Sequence, residues 1–220
     1  MGKKVGIVCA SDAELEPILR YLKGSKTMEK AGLTFHEGTV GRTDAVALFS
    51  GVCKVNAAIA AQALIDSYDV AAVINAGVAG GIDETVRLFD TVISEQVAYH
   101  DVADDILTEF HPWLESVYFP ADRELLARAR AYCETVGRPV RFGKSVTGEA
   151  FIADEGRAEI IEKFAPLSVD METGAFAHVC YVNQVPFLAV RTITDTAEHA
   201  GKEHFEENCA AASQIAADIV

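Results

Sequence analysis

What most constrains this chain is a repeated switch between two hydrophobic periods. Val5-Gly6-Ile7-Val8-Cys9, Val70 to Ala76 and Phe187-Leu188-Ala189-Val190, which opens a strand over Pro186 to Thr194, are short apolar runs with almost no polar interruption. A strand that is apolar at every position is buried on both faces, as in a sheet covered by helices on either side. Between these runs the spacing becomes helical: Leu15, Ile18, Leu19 and Leu22 mark a helix over 13–22, and Lys54 to Ile65 is an alanine-rich one. Further helices are predicted from Asp122, a capping residue, to Val136, from Glu155 to Lys163, from Met171 to Cys180 and from Phe205 to Ile219. Leu33 to Glu37 and Asp44 to Ser50 read as a strand pair joined near Gly38–Gly41, and Thr91 to Tyr99 and Pro139 to Val146 read as extended. Gly77-Val78-Ala79-Gly80-Gly81 reads as a turn at the carboxyl end of the Val70–Ala76 strand. The alternation predicts an α/β fold: a single domain over residues 1–220, three-layer α/β/α with a central mixed sheet.

Composition excludes several classes of function. The net charge of −14 repels phosphate backbones and anionic lipid surfaces, so neither a nucleic-acid polymer nor a membrane is an expected partner. Five widely spaced cysteines (Cys9, Cys53, Cys133, Cys180, Cys209) with no Cys-x-x-Cys pair suggest a reducing compartment and no zinc framework. The apolar run after Lys3-Lys4 is too short for a secretory signal, and no run approaches a membrane span. The expectation is a soluble cytoplasmic protein. One segment, Tyr99 to Pro120, has little periodicity and many aromatic residues. It reads as a lid over a ligand, a contact with a second subunit, or plain loop packing.

Ligands of open α/β sheets collect beyond the carboxyl ends of strands. Here those positions hold Ala10-Ser11-Asp12-Ala13-Glu14, the glycine segment 77–81, Asp170-Met171-Glu172, and Asp195. The glycine segment is neither a Gly-x-Gly-x-x-Gly fingerprint nor a P-loop, since no Lys-Ser/Thr comes after it. Glu14 also suits a helix first turn for dipole reasons alone. Asp195, beyond an apolar run, needs a specific partner, and Arg191 is available as an ion-pair partner. His199 and His204 stand five apart without nearby cysteines, which is poor metal-site spacing, so no metal or other cofactor is expected. Carboxylates at three strand ends suggest acid–base chemistry on a polyhydroxy or heteroaromatic substrate.

The ordered blocks Val5-Gly6-Ile7-Val8 with Glu14, Ser50-Gly51-Val52-Cys53-Lys54-Val55-Asn56-Ala57-Ala58, Asn75 to Gly81 and Tyr99-His100-Asp101 form a recognisable series. It continues through Thr147-Gly148-Glu149-Ala150-Phe151-Ile152, Val169-Asp170-Met171-Glu172 and Arg191-Thr192-Ile193-Thr194-Asp195. Nearly end to end, the chain resembles the 5′-methylthioadenosine/S-adenosylhomocysteine nucleosidases of the nucleoside phosphorylase superfamily. The resemblance implies a nucleoside phosphorylase-like fold and hydrolysis of the N-glycosidic bond of a 5′-substituted adenine nucleoside, releasing adenine. It implies that Glu14 activates the attacking water, Asp195 protonates the leaving base and Glu172 grips the ribose hydroxyls. Met171 would pack on the sugar, Phe151 stack on the base, the Ile152 backbone read its edge, and Phe205 close near the 5′ group. Ser11, Val52, Val78, Ala79, Gly80 and Asp170 complete the implied substrate-binding set. A cytoplasmic homodimer serving methionine salvage is also implied, with gate residues from the partner and Trp113, Tyr118 and Phe119 as interface anchors.

The chain departs from the family pattern in places. Ser11-Asp12-Ala13-Glu14 replaces Met-Glu-Glu-Glu, Val78 stands where a hydroxyl residue usually holds the base-protonating Asp, and Thr147-Gly148-Glu149 replaces Ser-Gly-Asp. Ala197-Glu198 replaces the closing Ala-Asp, and the gate segment 110–120 is rewritten. Other readings are a hydrolase of another 5′-modified purine nucleoside such as futalosine, a purine nucleoside phosphorylase, or a non-catalytic nucleoside-binding protein. Phosphorylases of this kind place an arginine before their glycine loop, whereas Ala71-Ala72-Val73-Ile74-Asn75 has none, which favours water as the nucleophile.

Overall fold

The computed structural model describes residues 3–111, 114–135, 137–152, 156–197 and 202–220. Pro112, Trp113, Glu198 and His199, and the helix ends expected at Val136 and Glu155, lie outside the described residues. In chain order the elements are β1 (Lys4–Cys9), α1 (Asp12–Tyr21), β2 (Lys23–Lys30), β3 (Leu33–Val40), β4 (Thr43–Phe49), α2 (Lys54–Ser67), β5 (Val70–Gly81) and β6 (Thr91–Tyr99). They continue as α3 (Asp104–Glu109), β7 (Tyr118–Pro120), α4 (Arg123–Cys133), β8 (Val140–Thr147), α5 (Arg157–Phe164), β9 (Ser168–Asp170), α6 (Thr173–Val182), β10 (Phe187–Asp195) and α7 (Lys202–Ile219).

The strands form one sheet of mixed direction. β1 lies between β4 and β5, parallel to both. β10 runs parallel to β5 and antiparallel to β6, β8 runs parallel to β6 and β9, and β9 returns antiparallel to β5. The path β5–β10–β6–β8–β9–β5 closes on itself, so part of the sheet is a ring from which β1, β4, β3 and β2 extend as a wing. At β1 each face is buried separately. Ile7 and Cys9 of β1 share a core with Leu15 and Ile18 of α1 and Ala217 of α7. Val8 faces the opposite way, into a core with Val46, Leu48, Ala61, Leu64 and Phe176. That alternation produces the continuous apolar run read in the sequence. No helix among the described residues is long and apolar enough to cross a membrane.

The structure departs from the sequence reading in three places. First, residues 77–81 are not a turn. They continue β5, with Gly77 opposite Arg191, Val78 opposite Thr192 and Gly80 opposite both Asp195 and Val169. Ladder pairing on both sides outweighs glycine's turn preference, and the missing side chains leave room for others. Second, β2 pairs antiparallel with β3 although every residue in it is exposed, so it carries no hydrophobic alternation. Third, the described part of 99–120 is not irregular throughout. It forms α3 and β7, buries Phe119 against His178 at 4.7 Å between ring centroids, and sets Tyr118 edge-on to Phe164. Phe119 is therefore core rather than an interface anchor.

One of the tightest glycines, Gly77, lies where β5 passes α1. A Cβ on Gly77 would stand 2.6 Å from the Glu14 carboxyl carbon and 2.8 Å from Arg191 Nη1. Gly41, by contrast, opens the two-residue β3–β4 hairpin loop at φ +60° with no atom near its missing Cβ. Urea unfolding should show Gly77→Ala losing about 3 kcal/mol by overpacking. Gly41→Ala should lose about 1 kcal/mol, the backbone cost alone.

Candidate active site

Seven chain segments converge on one cavity. The β1–α1 junction contributes Ser11 and Glu14, and Val52 comes from the turn before α2. The second half of β5 contributes Val78, Ala79 and Gly80, and the loop after β8 contributes Phe151 and Ile152. Asp170, Met171 and Glu172 lie between β9 and α6, Asp195 ends β10, and Phe205 projects from α7. Every residue selected from the sequence as a site residue thus lines the same cavity. Phe151 and Phe205 meet edge-on at its mouth, 6.5 Å between centroids.

Glu14 is fixed by local rules. Ser11 Oγ accepts from the Glu14 N–H at 3.3 Å, and Glu14 Oε2 accepts from the Ser11 N–H at 2.9 Å, a complete capping box for α1. Oε2 also accepts from Ala10 N at 2.6 Å, and Oε1 from Val78 N at 2.8 Å across on β5. Three backbone donors leave room for one further donor on this carboxylate.

Asp170 organises the floor. Its Oδ1 accepts from Thr147 Oγ1 at 2.7 Å and from the Glu172 and Thr173 N–H groups at 3.1 and 3.0 Å, and Thr173 Oγ1 also reaches Oδ2. Asp170 therefore satisfies the start of α6 and aims Glu172 into the cavity. Glu172 Oε1 accepts from Cys53 N at 2.9 Å, a donor presented by a residue at φ 82°, where non-glycine residues are rare. Burial pushes the Glu172 carboxyl up to about 7, against the pull of Arg191 and with the neighbouring Asp170 and Glu14 charges adding to the rise.

The sequence offers Arg191 as a partner for Asp195, and the structure overturns this. Its guanidinium is 2% exposed and stands among three other carboxylates: Glu172 at 3.5 Å, Asp170 at 3.7 Å and Glu14 at 3.8 Å. Asn75 Oδ1 lies 3.5 Å from Nη1 and accepts from Thr173 Oγ1 at 2.7 Å, while Asn75 Nδ2 donates to Val8 O at 3.0 Å. A cation inside an otherwise apolar strand must face several anions, and that is the signal by which Arg191 can be found in sequence. Asn75 and Thr147 carry no such signal, being ordinary polar residues until the fold closes around them.

Asp195 lies apart from this cluster. Its Oδ1 accepts from Thr194 Oγ1 at 2.8 Å, and a Cβ on Gly80 would come within 3.1 Å of Oδ2. Burial raises its carboxyl above the ordinary range, opposed by the Thr194 hydroxyl, then by Arg157 and His204. The cavity therefore has a carboxylate cluster of Glu14, Asp170 and Glu172 around Arg191, and a separate carboxyl, Asp195, raised by burial.

A family model described as the phosphorylase superfamily matches residues 4–220. The 5′-methylthioadenosine/S-adenosylhomocysteine nucleosidase of Halalkalibacterium halodurans is 35% identical, the match covering 99% of this chain and 96% of that protein. The corresponding nucleosidase of Actinobacillus succinogenes is 36% identical with the same coverage. Among solved structures, the Neisseria meningitidis nucleosidase in complex with methylthio-immucillin-A superposes with a TM-score of 0.91 at 29% identity, covering 99% of this chain and 96% of that one. Futalosine hydrolase of Helicobacter pylori shares the fold, with a TM-score of 0.89 at 23% identity over 99% and 95% of the two chains. With a family model matched over residues 4–220 and relatives 35–36% identical over 99% of its length, the chain belongs to the 5′-methylthioadenosine/S-adenosylhomocysteine nucleosidase family of the phosphorylase superfamily.

Proposed function

We propose that this chain hydrolyses the N-glycosidic bond of a 5′-substituted adenine nucleoside of the methylthioadenosine and adenosylhomocysteine type. The observation that carries the reading is the division of the cavity between a carboxylate cluster held around Arg191 and a separate carboxyl, Asp195, that burial raises above the ordinary range. Breaking the bond leaves positive charge on the ribose and negative charge on the base. Glu14 accepts a proton from water and directs it at the anomeric carbon, using the acceptor position left by its three backbone donors. Asp195 donates its proton to a ring nitrogen of the departing base, a task suited to a carboxyl raised by burial. Glu172, whose carboxyl burial holds above the ordinary range, grips the ribose hydroxyls while Met171 packs on the sugar. Phe151 stacks on the base, the Ile152 backbone reads its edge, and Phe205 closes the 5′ end. The anionic cluster also stabilises the oxocarbenium-like transition state.

The same cluster argues for water over phosphate. Arg191, the cation inside the cavity lining, already faces Glu14, Asp170 and Glu172, so a phosphate dianion would meet net negative charge. Arg191 also occupies the centre that a metal ion would need between these carboxylates, and no metal or other cofactor is proposed. Adenine release should proceed in phosphate-free, chelator-treated buffer, with free 5′-thioribose as the second product. Formation of ribose 1-phosphate in added phosphate would instead make the enzyme a phosphorylase, and a panel including futalosine and inosine reads the 5′ and base preferences.

The two catalytic carboxylates should separate by substrate. Glu14→Gln is expected to abolish turnover of every nucleoside while binding persists. Asp195→Asn should cost roughly 10²–10⁴-fold on adenine nucleosides and little on a nitrophenyl riboside, whose leaving group needs no proton. Because Asp195 acts protonated, wild-type activity on adenine nucleosides should fall as pH rises through its elevated pKa, and the riboside reaction should lack that limb. Equal losses on both substrates would refute this assignment.

The working unit is proposed to be one domain per chain, paired as a cytoplasmic homodimer and serving methionine salvage. Val55, 69% exposed, and Ile59 succeed Val52 at helical spacing on α2, and Phe110, 66% exposed, stands one turn beyond Ile106 on α3. Lys54 Nζ meets Asp101 at 2.8 Å and joins the starts of the two segments. Light scattering should give a dimer at micromolar concentration, and Val55→Glu should shift it to monomer.

A further inference from the structure

We propose that Thr194 is a positioning residue for the base-protonating acid, donating its hydroxyl to Asp195 Oδ1 and so keeping the transferable proton on Oδ2, above Gly80. The inference rests on the reading of Asp195 as that acid. Consecutive residues of a regular strand point to opposite faces, so their side chains do not meet. β10 breaks that rule at one point: Ile193 pairs with Ala79 and Asp195 with Gly80, leaving Thr194 as an extra residue without a partner of its own on β5. An inserted residue of this kind re-aims its neighbours. Here it brings Thr194 Oγ1 to 2.8 Å from Asp195 Oδ1, with Ala79 O at 3.3 Å as a second acceptor. The bulge is itself tethered, because Asn208 Nδ2 of α7 donates to Thr194 O at 2.9 Å.

Val78 has no hydroxyl, so that side chain cannot hold Asp195. Thr194, fully buried, supplies a hydroxyl from the acid's own strand. With Oδ1 engaged as an acceptor, the acidic hydrogen sits on Oδ2, the oxygen near the unsubstituted Cα of Gly80 in the cavity wall. In the reaction that hydrogen moves from Oδ2 to the base nitrogen, the glycosidic electron pair goes to the base, and Thr194 keeps its own proton. The other charged groups acting on Asp195 are Arg157 from α5 and His204 from α7, and both are retained in every Thr194 variant.

The test compares Thr194→Val and Thr194→Ser with Asp195→Asn, on 5′-methylthioadenosine and on a nitrophenyl riboside, across pH. Thr194→Val should lose at least tenfold in kcat on the adenine nucleoside and less than threefold on the riboside. Loss of a donor to the carboxylate should move the alkaline limb to higher pH. Thr194→Ser should restore both rate and limb. If the valine variant does not accumulate as folded protein, Thr194→Ala provides the same comparison without the added methyl. Equal losses on both substrates, an unmoved limb, or serine behaving like valine would overturn the proposal while Asp195→Asn stays impaired. An unimpaired Asp195→Asn would instead overturn the reading of Asp195 itself.

Discussion

The structure depends most on one buried cation. Arg191 faces Glu14 from the β1–α1 junction and Asp170 and Glu172 from the β9–α6 junction, with Asn75 of β5 beside it. Leaving any of these anions buried without a counter-charge would cost several kcal/mol, so each segment needs the others in place. The same contacts set the electrostatics of the cavity. They keep the guanidinium from acting as a free anion site and leave the excess negative charge facing the cavity.

The carboxylates do two jobs, and the jobs support each other. Glu14 completes the cap of α1 and also joins β5 through Val78 N, so the helix start, the neighbouring strand and the carboxylate hold a single geometry. Asp170 does for α6 what Glu14 does for α1, and Glu172 projects into the cavity as a result. Gly77 and Gly80 complete the arrangement by being absent as side chains: β5 can run directly beneath Glu14 and Asp195 because nothing projects from those two positions.

How much of this is legible in sequence depends on where each signal resides. The buried strands and the cavity-lining residues are legible because continuous apolar runs mark inner strands, and the residues just beyond a parallel strand lie at its binding end. β2 is not, since an exposed edge strand such as Lys23-Gly24-Ser25-Lys26 buries neither face, and its hairpin turns through Ala31-Gly32 rather than a strong turn pair. Residues 77–81 mislead for a related reason: four of the five are glycine or alanine, which suits a turn locally, yet close approach by Glu14 and Asp195 is what demands them. The partner of Arg191 cannot be read from neighbours in sequence. Asp195 is four residues along the same strand, while the anions that face Arg191 come from other segments.

The closed ring of strands has a consequence for how the protein comes into being. β5 and β10 are adjacent in the ring, but Arg191 and Asn75, which meet across them, are 116 residues apart in the chain. Neither the ring nor the charge cluster can close until the last strand has been made, so the wing of β1 to β4 must wait with Glu14 capping its helix but unmatched by a cation. Long-range closure of this kind is slow and tends to be all-or-none. A chain that stalls before residue 187 holds every carboxylate of the anionic cluster and lacks the arginine that lets them be buried together. The acquisition of a functional cavity and the final commitment to the native state are then one event.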